Sequence, residues 1–445
     1  MPLLIPASPA RSLLRKLIAA GLEAADPYRA LLKSVSRKGP LLRVGRRTHD
    51  LRRFDRIIAV GAGKASARMA QAIEHILGAT LDQGLVVVPP GHGVQTRQIA
   101  VVEAGHPIPD RAGRQAVEHI QTLVRDLTPR DLLIVLLSGG ASSLLPAPVP
   151  GITLADKQRT TRLLLRSGAT IDEMNAVRKH LSTLKGGGLA RSTKATIATL
   201  MLSDVIGDDI GTIGSGPTAP DPTTFADAIA VLERYKIWPA VPRAVRLYLL
   251  QGNRGAVPET LKPGSRRLRS VHHTIIGNNS AMLDAVAQSA EQSGLHAHRL
   301  PAAITNEARA EAKHFVRHAL RLVTQAGGLR RPSCIVAGGE PIVTVTGRGK
   351  GGRAQEFAAA AALHLTSVSD VWLAALGTDG SDGPTDVAGA VVTGETATRA
   401  FNAGIDLHSA LKRHDTYPAL KTLRCHIRTG PTGTNVNDLY LLLLL

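Results

Sequence analysis

The order of short apolar runs, glycine-rich loops and helices constrains the fold of this chain more than any other feature. The segment Arg56–Glu74 passes from an apolar run through Gly61 and Gly63 into an alanine-rich helical pattern, which is typical of a βα unit. Similar apolar runs, each ending at a small-residue or glycine-rich loop, lie at Gly84–Val88, Leu132–Leu137 and Ala198–Leu202. The helical segments between them include Ala112–Asp126 and Leu154–Ser167. This alternation predicts an α/β fold with a Rossmann-like, doubly wound and mostly parallel sheet.

A second α/β series follows the polar stretch Gly252–Arg269, which glycines and prolines interrupt. Its predicted elements are strand His273–Ile276, helices Ser280–Ser293 and Ala308–Gln325, strands Ser333–Val336 and Ile342–Val345 in a hairpin around Glu340–Pro341, helix Ala354–Leu365 and strand Val371–Leu376. We therefore expect a larger domain over 1–265 and a smaller C-terminal α/β domain over 266–445. Ligands are expected at the carboxyl ends of the strands, with the active site in a cleft between the domains.

The formal net charge of +19 is the most unusual bulk property of this 445-residue chain. Such a charge attracts polyanions, so a nucleic-acid-binding protein stays open as an alternative. The basic residues are spread along the chain, however, and only 3% of the residues are aromatic, which leaves few rings to stack on bases. A diffuse basic surface around an anion-binding cleft is the preferred interpretation, and neither nucleic acid nor a membrane is the expected partner.

Cysteine usage and hydropathy favour a cytoplasmic protein. Cys334 and Cys425 are far apart, and no histidine or cysteine cluster has the spacing of a zinc site. No apolar run approaches the roughly 20 residues that a membrane-spanning helix needs. The arginine and serine content of the N-terminal residues is a weak sign of an organelle transit peptide, and Leu13–Ala25 is predicted to be an amphipathic helix.

The turn at Gly61, Gly63 and Lys64 is the first candidate for binding an anion. Its glycine spacing completes neither the P-loop pattern nor the dinucleotide pattern, so a plain strand-to-helix turn is an equal alternative. A lysine at a helix N-terminus lies at the unfavourable end of the helix dipole. Lys64 is therefore better explained if an anion occupies the site.

The loop Leu137–Leu144 follows a continuous apolar run and is rich in small residues. Its consecutive amide and hydroxyl groups could hold a phosphate or a carboxylate, although an ordinary flexible loop is the alternative. The candidate binding residues in this loop are Ser138, Gly139, Gly140, Ser142 and Ser143.

Asn175, Arg178 and Lys179 fall within one helical turn, so their donors are expected to project from one helix face toward an anion. His180 is interpreted as a capping or packing residue. Lys185 stands before three glycines, and we interpret it as a cation that stabilises a helix C-terminus.

Asp204 stands just past an apolar strand, where a carboxylate can reach a metal ion or a substrate hydroxyl, whereas Asp208 and Asp209 are expected to form turns. In the C-terminal domain, Arg353 follows a glycine-rich stretch and can clamp an anion with both nitrogens of its guanidinium group. The other candidates there are Gly349, Gly351, Gly352, Thr378 and Asp379. Because Mg²⁺ uses one or two carboxylates with phosphate oxygens, Asp204 or Asp379 is the expected metal ligand.

Eight segments, taken together and in order, resemble the class II glycerate kinases, whose C-terminal module is named MOFRL and some of whose members carry the provisional name hydroxypyruvate reductase. The segments that carry this resemblance cover nearly the whole chain and are Val60–Ser66, Ala104–Asp110, Leu137–Pro148, Met174–Gly187, Leu202–Thr218, Gly338–Glu356, Leu376–Ala390 and Thr429–Leu439.

The resemblance implies a two-domain kinase that makes 2-phosphoglycerate from D-glycerate, with ATP as phosphoryl donor and Mg²⁺ or another divalent cation. It also implies that Lys64 and Arg353 are the active-site lysine and arginine of the family. From this we expect both to stabilise the transferring phosphoryl group, while Asp204 or Asp379 accepts the hydroxyl proton or holds the metal. The sequence departs from the family pattern at Ala337, Ala354 and Thr393, where serine, asparagine and aspartate are usual.

Hydroxypyruvate reduction with NAD(P)H is the alternative reaction. It requires a third glycine in the first turn and an acidic residue about 20 positions later, and Glu74 comes too early. We therefore expect a kinase, and a homodimer stays open.

Overall fold

The computed structural model describes residues 3–325 and 328–445. The start of the segment weighed as a transit peptide lies outside these residues. The chain forms two compact units: Pro27–Ile276, and the residues up to Asp26 together with Gly277–Leu445. This division assigns the first helix to the unit that holds the C-terminus, whereas the division at residues 265/266 assigns it to the N-terminal domain and stays a prediction.

The described strands and helices follow each other along both units. The strands are β1 Val35–Lys38, β2 Leu41–Val44, β3 Arg47–Asp50, β4 Arg56–Ala62, β5 Gln83–Val88, β6 Ile99–Glu103, β7 Asp131–Leu137, β8 Thr196–Leu202, β9 Val271–Gly277, β10 His296–Arg299, β11 Ser333–Gly339, β12 Val371–Gly377, β13 Gly389–Thr393, β14 His426–Ile427 and β15 Asp438–Leu444. The helices are α1 Arg11–Ala24, α2 Pro27–Ser34, α3 Ser66–Leu77, α4 Arg111–Arg125, α5 Ala141–Leu144, α6 Leu154–Ser167, α7 Ile171–His180, α8 Gly188–Arg191, α9 Phe225–Arg234, α10 Arg243–Asn253, α11 Asn279–Glu291, α12 Ala308–Thr324, α13 Arg353–His364, α14 Thr396–Asn402, α15 Leu407–Lys412 and α16 Thr416–Thr422.

The Pro27–Ile276 unit is built on a sheet with the strand order β6-β5-β4-β7-β8-β9. The pairs from β6 to β8 are parallel, which confirms the predicted Rossmann-like sheet. Ala62 pairs with Leu137 and Leu137 pairs with Met201, so the loops after β4, β7 and β8 leave one edge of the sheet side by side. A separate antiparallel sheet, β1-β2-β3, belongs to the same unit.

Strand β7 shows why this sheet forms. All its residues are buried, as a central parallel strand with helices on both faces requires. Its one charged residue, Asp131, is 1% exposed and accepts two hydrogen bonds from the Arg56 guanidinium on β4, at 3.0 and 2.9 Å. The pairing satisfies a carboxylate that would otherwise be costly to bury.

The other unit contains a mixed sheet with the order β10-β11-β15-β12-β13-β14. The leucine-rich C-terminal strand β15 pairs antiparallel with both β11 and β12 and is buried along its whole length. The predicted hairpin around Glu340–Pro341 is therefore wrong, because β11 pairs with β15 instead. The predicted strand Ile342–Val345 is also wrong, since Ile342 makes only one isolated bridge, to Glu307, and Val345 is exposed.

The strand predicted at His273–Ile276 forms, but its place in the second series was wrong. It is part of β9, the edge strand of the first sheet. The remaining predicted strands and helices of both series are present with small shifts at their ends. Within residues 3–325 and 328–445, no helix is long and apolar enough to cross a membrane.

Candidate active site

The turn between β4 and α3 packs closely against the end of β7. Gly63 has φ +136, and a Cβ atom there would lie 2.2 Å from the Ser138 hydroxyl oxygen. A Cβ on Gly61 would lie 2.1 Å from the Leu136 carbonyl oxygen. The Lys64 amide donates to Gly139 O at 2.8 Å, so both glycines allow the Lys64 turn to lie against the loop after β7.

The hydroxyl groups of the loop after β7 already form hydrogen bonds within the protein. Ser138 Oγ accepts from the Ala65 amide at 3.0 Å, and Ser143 Oγ donates to Gly140 O at 3.0 Å. The Ser142 and Ser215 hydroxyls are 2.9 Å apart. Within the described residues, the amides of Gly139 and Gly140 form no hydrogen bond, so backbone N–H groups rather than hydroxyls are the donors left for a ligand.

His106 lies against the same loop and is not among the residues predicted from the sequence to form the site. A Cβ atom on Gly140, which has φ +87, would lie 2.9 Å from His106 Nε2. Burial lowers the pKa of His106, and the nearby charges of Lys64 and His92 lower it further. The imidazole is therefore neutral near pH 7. The signal that could have identified it is its place in the Ala104–Asp110 motif.

A hydrogen-bonded chain joins this loop to helix α7. Ser215 Oγ donates to Asn175 Oδ1 at 3.0 Å, so Ser142 is the donor to Ser215. Helix α7 begins with a capping box between Thr170 and Glu173, which fixes the face that Asn175 and Arg178 share. The Asn175 side-chain nitrogen keeps its hydrogens for another acceptor.

Lys185 is the most deeply buried cation of this site, at 2% exposed, and its Nζ donates to Ser142 O at 2.7 Å. Burial lowers the pKa of Lys185, and the neighbouring cations Lys157 and Arg178 lower it further. The interpretation of Lys185 as a helix C-terminal cation was wrong, because α7 ends at His180 and the ammonium group points to the loop after β7 instead.

Lys157 and Arg178 complete what we call the cation cluster: Lys157, Arg178 and Lys185. Lys157 Nζ donates to Leu181 O at 3.2 Å, and burial, followed by the charge of Arg178, lowers the pKa of Lys157 to about 7. Arg178 is half-buried and, among the described residues, its side chain forms no hydrogen bond or ion pair. Among the described residues, no carboxylate pairs with Lys157, Arg178 or Lys185. Buried charge without a partner is costly, so the cluster is suited to an anion that supplies the missing charge.

Lys179 differs from its neighbour Arg178 because it has a partner. Its Nζ lies 3.4 Å from Asp221 Oδ1, and Thr223 and Thr260 also donate to that carboxylate. Lys179 therefore stabilises the fold through a buried ion pair. His180 is confirmed as a packing residue, since its ring lies against Phe225 and its Nδ1 contacts Ala176 O at 2.7 Å.

Asp204 follows β8 at the same sheet edge as Lys64 and the loop after β7 and is partly buried. Asp209 forms a turn as predicted, since it accepts from the Gly211 amide at 3.3 Å and the Thr212 hydroxyl at 2.6 Å. Asp208 has φ +56, which is also typical of a turn residue.

In the other unit, Arg353 belongs to what we call the arginine cluster: Arg353, Glu340 and Asp438. Arg353 donates to both Asp438 oxygens, at 2.7 and 2.9 Å, and to Glu340 Oε1 at 2.8 Å. Burial alone would lower the pKa of Arg353, but the Asp438 carboxylate outweighs this effect and raises it. The guanidinium group is thus cationic, fixed in orientation and already compensated by two carboxylates.

Close packing against neighbouring segments requires glycine at the positions before Arg353. A Cβ on Gly349 would lie 2.5 Å from Arg413 O, one on Gly351 2.4 Å from the Thr416 hydroxyl, and one on Gly352 2.3 Å from Asp382 Cγ. Their proposed contact with a ligand stays a prediction, because close approach to neighbouring chain segments already requires them.

Thr378 and Asp379 lie after β12, beside the start of β15. The Thr378 hydroxyl donates to Asn437 O at 2.6 Å and accepts from the Val436 amide at 2.9 Å, so it holds the chain before β15. Asp379 Oδ1 accepts from the Ser381 amide and hydroxyl, both at 3.0 Å. Among the residues that the structure describes, no group of three or more His, Cys, Asp or Glu side chains could hold a metal ion.

The departures from the family pattern lie at structural positions. Ala337 is buried in β11, the Ala354 amide donates to Asp382 at 3.0 Å, and the Thr393 amide donates to Thr396 at 2.8 Å. None of the three changes a charge in either cluster.

Known proteins show similarity to this chain over nearly its whole length. Residues 13–250 match a domain of unknown function, DUF4147, and residues 333–438 match the MOFRL family. A glycerate 2-kinase from Pyrococcus horikoshii is 40% identical over 95% of both chains. An Agrobacterium vitis protein with the provisional name hydroxypyruvate reductase is 40% identical over 98% of this chain and 94% of its own.

The fold is shared with a solved structure of glycerate kinase from Thermotoga maritima. The TM-score is 0.85 at 38% identity, and the alignment covers 98% of this chain and 100% of the other. The matches with named glycerate kinases extend through both compact units. The chain therefore belongs to the glycerate kinase family that carries a C-terminal MOFRL domain.

Proposed function

We propose that this protein transfers the terminal phosphoryl group of ATP to D-glycerate and produces 2-phosphoglycerate. The single observation in the structure that best supports the proposal is the cation cluster beside the loop after β7. Both substrates and both products are anions, and relatives that match 87–98% of this chain are named glycerate kinases. The expected cleft between the domains stays a prediction.

The cation cluster is proposed to bind the carboxylate of glycerate or a phosphate group. Arg178 supplies positive charge, and a bound anion would favour the protonated form of Lys185. The Gly139 and Gly140 amides and the Asn175 side chain supply directed donors beside them. Phosphoryl transfer requires mainly positioning and neutralisation of charge. Lys64, next to this loop, is proposed to stabilise the transferring phosphoryl group, as the family resemblance implies.

Arg353 is proposed to act in a different way from the cation cluster. Two carboxylates already balance its charge, so it offers a fixed guanidinium orientation rather than an unpaired charge. The role that the resemblance assigns to Arg353 therefore depends on precise placement by Asp438.

The carboxylates present fit a magnesium ion that arrives with the nucleotide. Mg²⁺ in nucleotide sites typically takes one or two protein carboxylates and completes its shell with phosphate oxygens and water. Asp204 or Asp379 would supply such a ligand, and the ion would neutralise charge on the phosphate chain. Asp204, Asp379 and the neutral imidazole of His106 are the groups proposed to accept the hydroxyl proton of glycerate.

Proton-coupled phosphorus NMR tests the reaction directly. The protein is incubated with D-glycerate, ATP and Mg²⁺, and phosphate on the C2 hydroxyl is recognised as a doublet because one proton is attached to that carbon. A triplet would indicate the C3 hydroxyl. Lys64→Ala should abolish the signal, whereas Lys194→Ala removes an exposed lysine outside the site and should not.

Absence of any phosphoglycerate from correctly folded protein would contradict the kinase proposal. NADH oxidation with hydroxypyruvate is then the next assay, because that reaction is the provisional assignment of a relative.

A further inference from the structure

A second concentration of positive charge lies in the Pro27–Ile276 unit, in a groove of about 730 Å³. We call it the basic groove. It lies between the β2–β3 turn, the end of α2 and strand β9, and its basic side chains are Lys33, Arg43, Arg46, Arg47, His272 and His273. It shares no lining residue with the cation cluster or with the loop after β7.

The charge of the basic groove is not balanced by its lining, which contains no aspartate or glutamate. Among the described residues, the side chains of Lys33, Arg46 and Arg47 form no hydrogen bond or ion pair, and the Arg43 Nε donates only to the Ser36 hydroxyl at 3.3 Å. Nearby Arg52, outside the groove, is instead paired with Asp50 at 2.8 Å. Convergent cations without a counter-charge are typical of a site that receives an anion.

Burial and the charge of Arg47 lower the pKa values of the neighbouring imidazoles of His49 and His272. Burial lowers the pKa of His272, and Arg47 lowers it further. His49, next to His272, is buried, and its Nε2 has no hydrogen-bond partner among the described residues. Both rings are therefore neutral near pH 7, and the arginine and lysine side chains carry the charge.

The shape of the basic groove is fixed by close packing of the β2–β3 turn on β9. Gly45 has φ +56, and a Cβ atom there would lie 2.9 Å from the Thr274 hydroxyl oxygen. The His273 Nε2 contacts the Thr218 hydroxyl at 3.1 Å, which holds β9 from its other side. The groove is thus a preformed feature of the unit.

We propose that the basic groove binds an oligophosphate chain, either inorganic or as part of a nucleotide. Arg43, Arg46, Arg47 and Lys33 can each contact a different phosphate, and guanidinium groups bind phosphate through two parallel hydrogen bonds. The lining has no Phe, Tyr or Trp on which successive bases could stack, so a phosphate chain fits better than single-stranded nucleic acid.

Calorimetric titration with inorganic tripolyphosphate tests the proposal. The double variant Arg46→Gln/Arg47→Gln should bind at least about tenfold more weakly than the wild type, since two phosphate contacts are lost. The matched control, Arg125→Gln/Arg166→Gln, loses the same charge from exposed positions on α4 and α6 and should change affinity by less than about twofold. Equal losses in both variants would overturn the proposal.

Acetylation of lysines, read by mass spectrometry, locates the bound probe. Tripolyphosphate should protect Lys33, at the groove, and leave Lys38 reactive, since Lys38 is exposed on β1 outside the lining. Failure to protect Lys33 would also overturn the proposal. The glycerate kinase activity of Arg46→Gln/Arg47→Gln should equal that of the wild type, which separates this site from the proposed active site.

Comparison of ligands identifies the source of the phosphate chain. Equal loss of tripolyphosphate and ATP affinity in the double variant supports recognition of the chain alone, and a larger loss for ATP supports a nucleotide. If a single-stranded oligonucleotide depends on Arg46 and Arg47 while tripolyphosphate does not, the oligophosphate proposal is wrong and nucleic acid takes its place.

Discussion

The cation cluster and the arginine cluster contain similar side chains in opposite electrostatic states. Lys157, Arg178 and Lys185 have no carboxylate partner in the described chain, and the charges that act on Lys185 are cations. Arg353 is held by Asp438 and Glu340. The balance of charge, rather than the presence of a basic residue, therefore distinguishes a site suited to bind an anion from a guanidinium group that carboxylates already hold in place.

Adjacent residues show the same contrast within one helix turn. Arg178 is unpaired among the described residues, whereas Lys179 is neutralised by the buried Asp221. Substitution of a paired cation should therefore lower stability, whereas substitution of an unpaired cation should lower activity without lowering stability.

Breaking the buried ion pair of Lys179 and Asp221 should cause the greatest loss of stability. Lys179→Met leaves Asp221 buried without its cation and should lower the free energy of unfolding by about 3–5 kcal/mol. Lys185→Met removes an unpaired charge, and the free energy of unfolding should not fall. Urea denaturation of both variants measures the difference, and equal destabilisation would contradict the comparison.

The next largest effect concerns activity. Lys185→Met should reduce kcat/KM for D-glycerate by about 10²–10³-fold, comparable with the loss of one preorganised donor to developing charge. Lys194→Met, with the same chemical change at an exposed position, should behave like the wild type. Steady-state kinetics with saturating ATP gives both values, and full activity of Lys185→Met would remove the cluster from the mechanism.

The free energy of unfolding should depend on pH through Lys157, a member of the cation cluster. The pKa of Lys157 is about 7 in the folded protein and about 10.4 in an unfolded chain, so the unfolded state binds more protons between these values. Relative to Lys157→Met, wild-type stability should be constant below pH 7 and rise above it by up to about 1.4 kcal/mol per pH unit. Urea unfolding at pH 6, 7, 8 and 9 tests this, and parallel curves for the two proteins would show that Lys157 is not perturbed.

The smallest effect is expected at the rim of the arginine cluster. Glu340→Gln removes a partly exposed partner of Arg353 while Asp438 keeps its two hydrogen bonds, so stability should change by about 0.2–1 kcal/mol. Thermal unfolding measures the change. A loss as large as that in Lys179→Met would mean that Glu340, rather than Asp438, fixes Arg353.

Much of the fold was predictable because local patterns and tertiary structure agree. The βα unit around Gly61 and Gly63 has an apolar strand, a turn that requires small residues and an alanine-rich helix. The C-terminal strand β15 was not predicted, because a continuous run of leucines has no period that separates strand from helix. The edge strand β9 was assigned to the wrong sheet because sequence order does not fix strand order.

The site was predictable in outline but not in its charge balance. Arg178 and Lys179 give the same sequence signal, and only the fold brings Asp221 to one of them. Lys185 was interpreted as a helix-end cation from its place before three glycines. Its burial and its contact with Ser142 give no local signal, because they depend on residues far along the chain. The order of the motifs predicted where the loops lie. Recognising which cations lack a carboxylate partner required the three-dimensional structure.

Calorimetric titration of 2-phosphoglycerate into wild-type protein and Lys185→Met measures whether the cation cluster binds the anionic product, because this ligand carries both a carboxylate and a phosphate. The cation cluster predicts binding to the wild type and to Lys194→Met, and at least about tenfold weaker binding to Lys185→Met. Binding of equal strength to all three proteins would contradict the claim that the cluster is the anion site of this kinase.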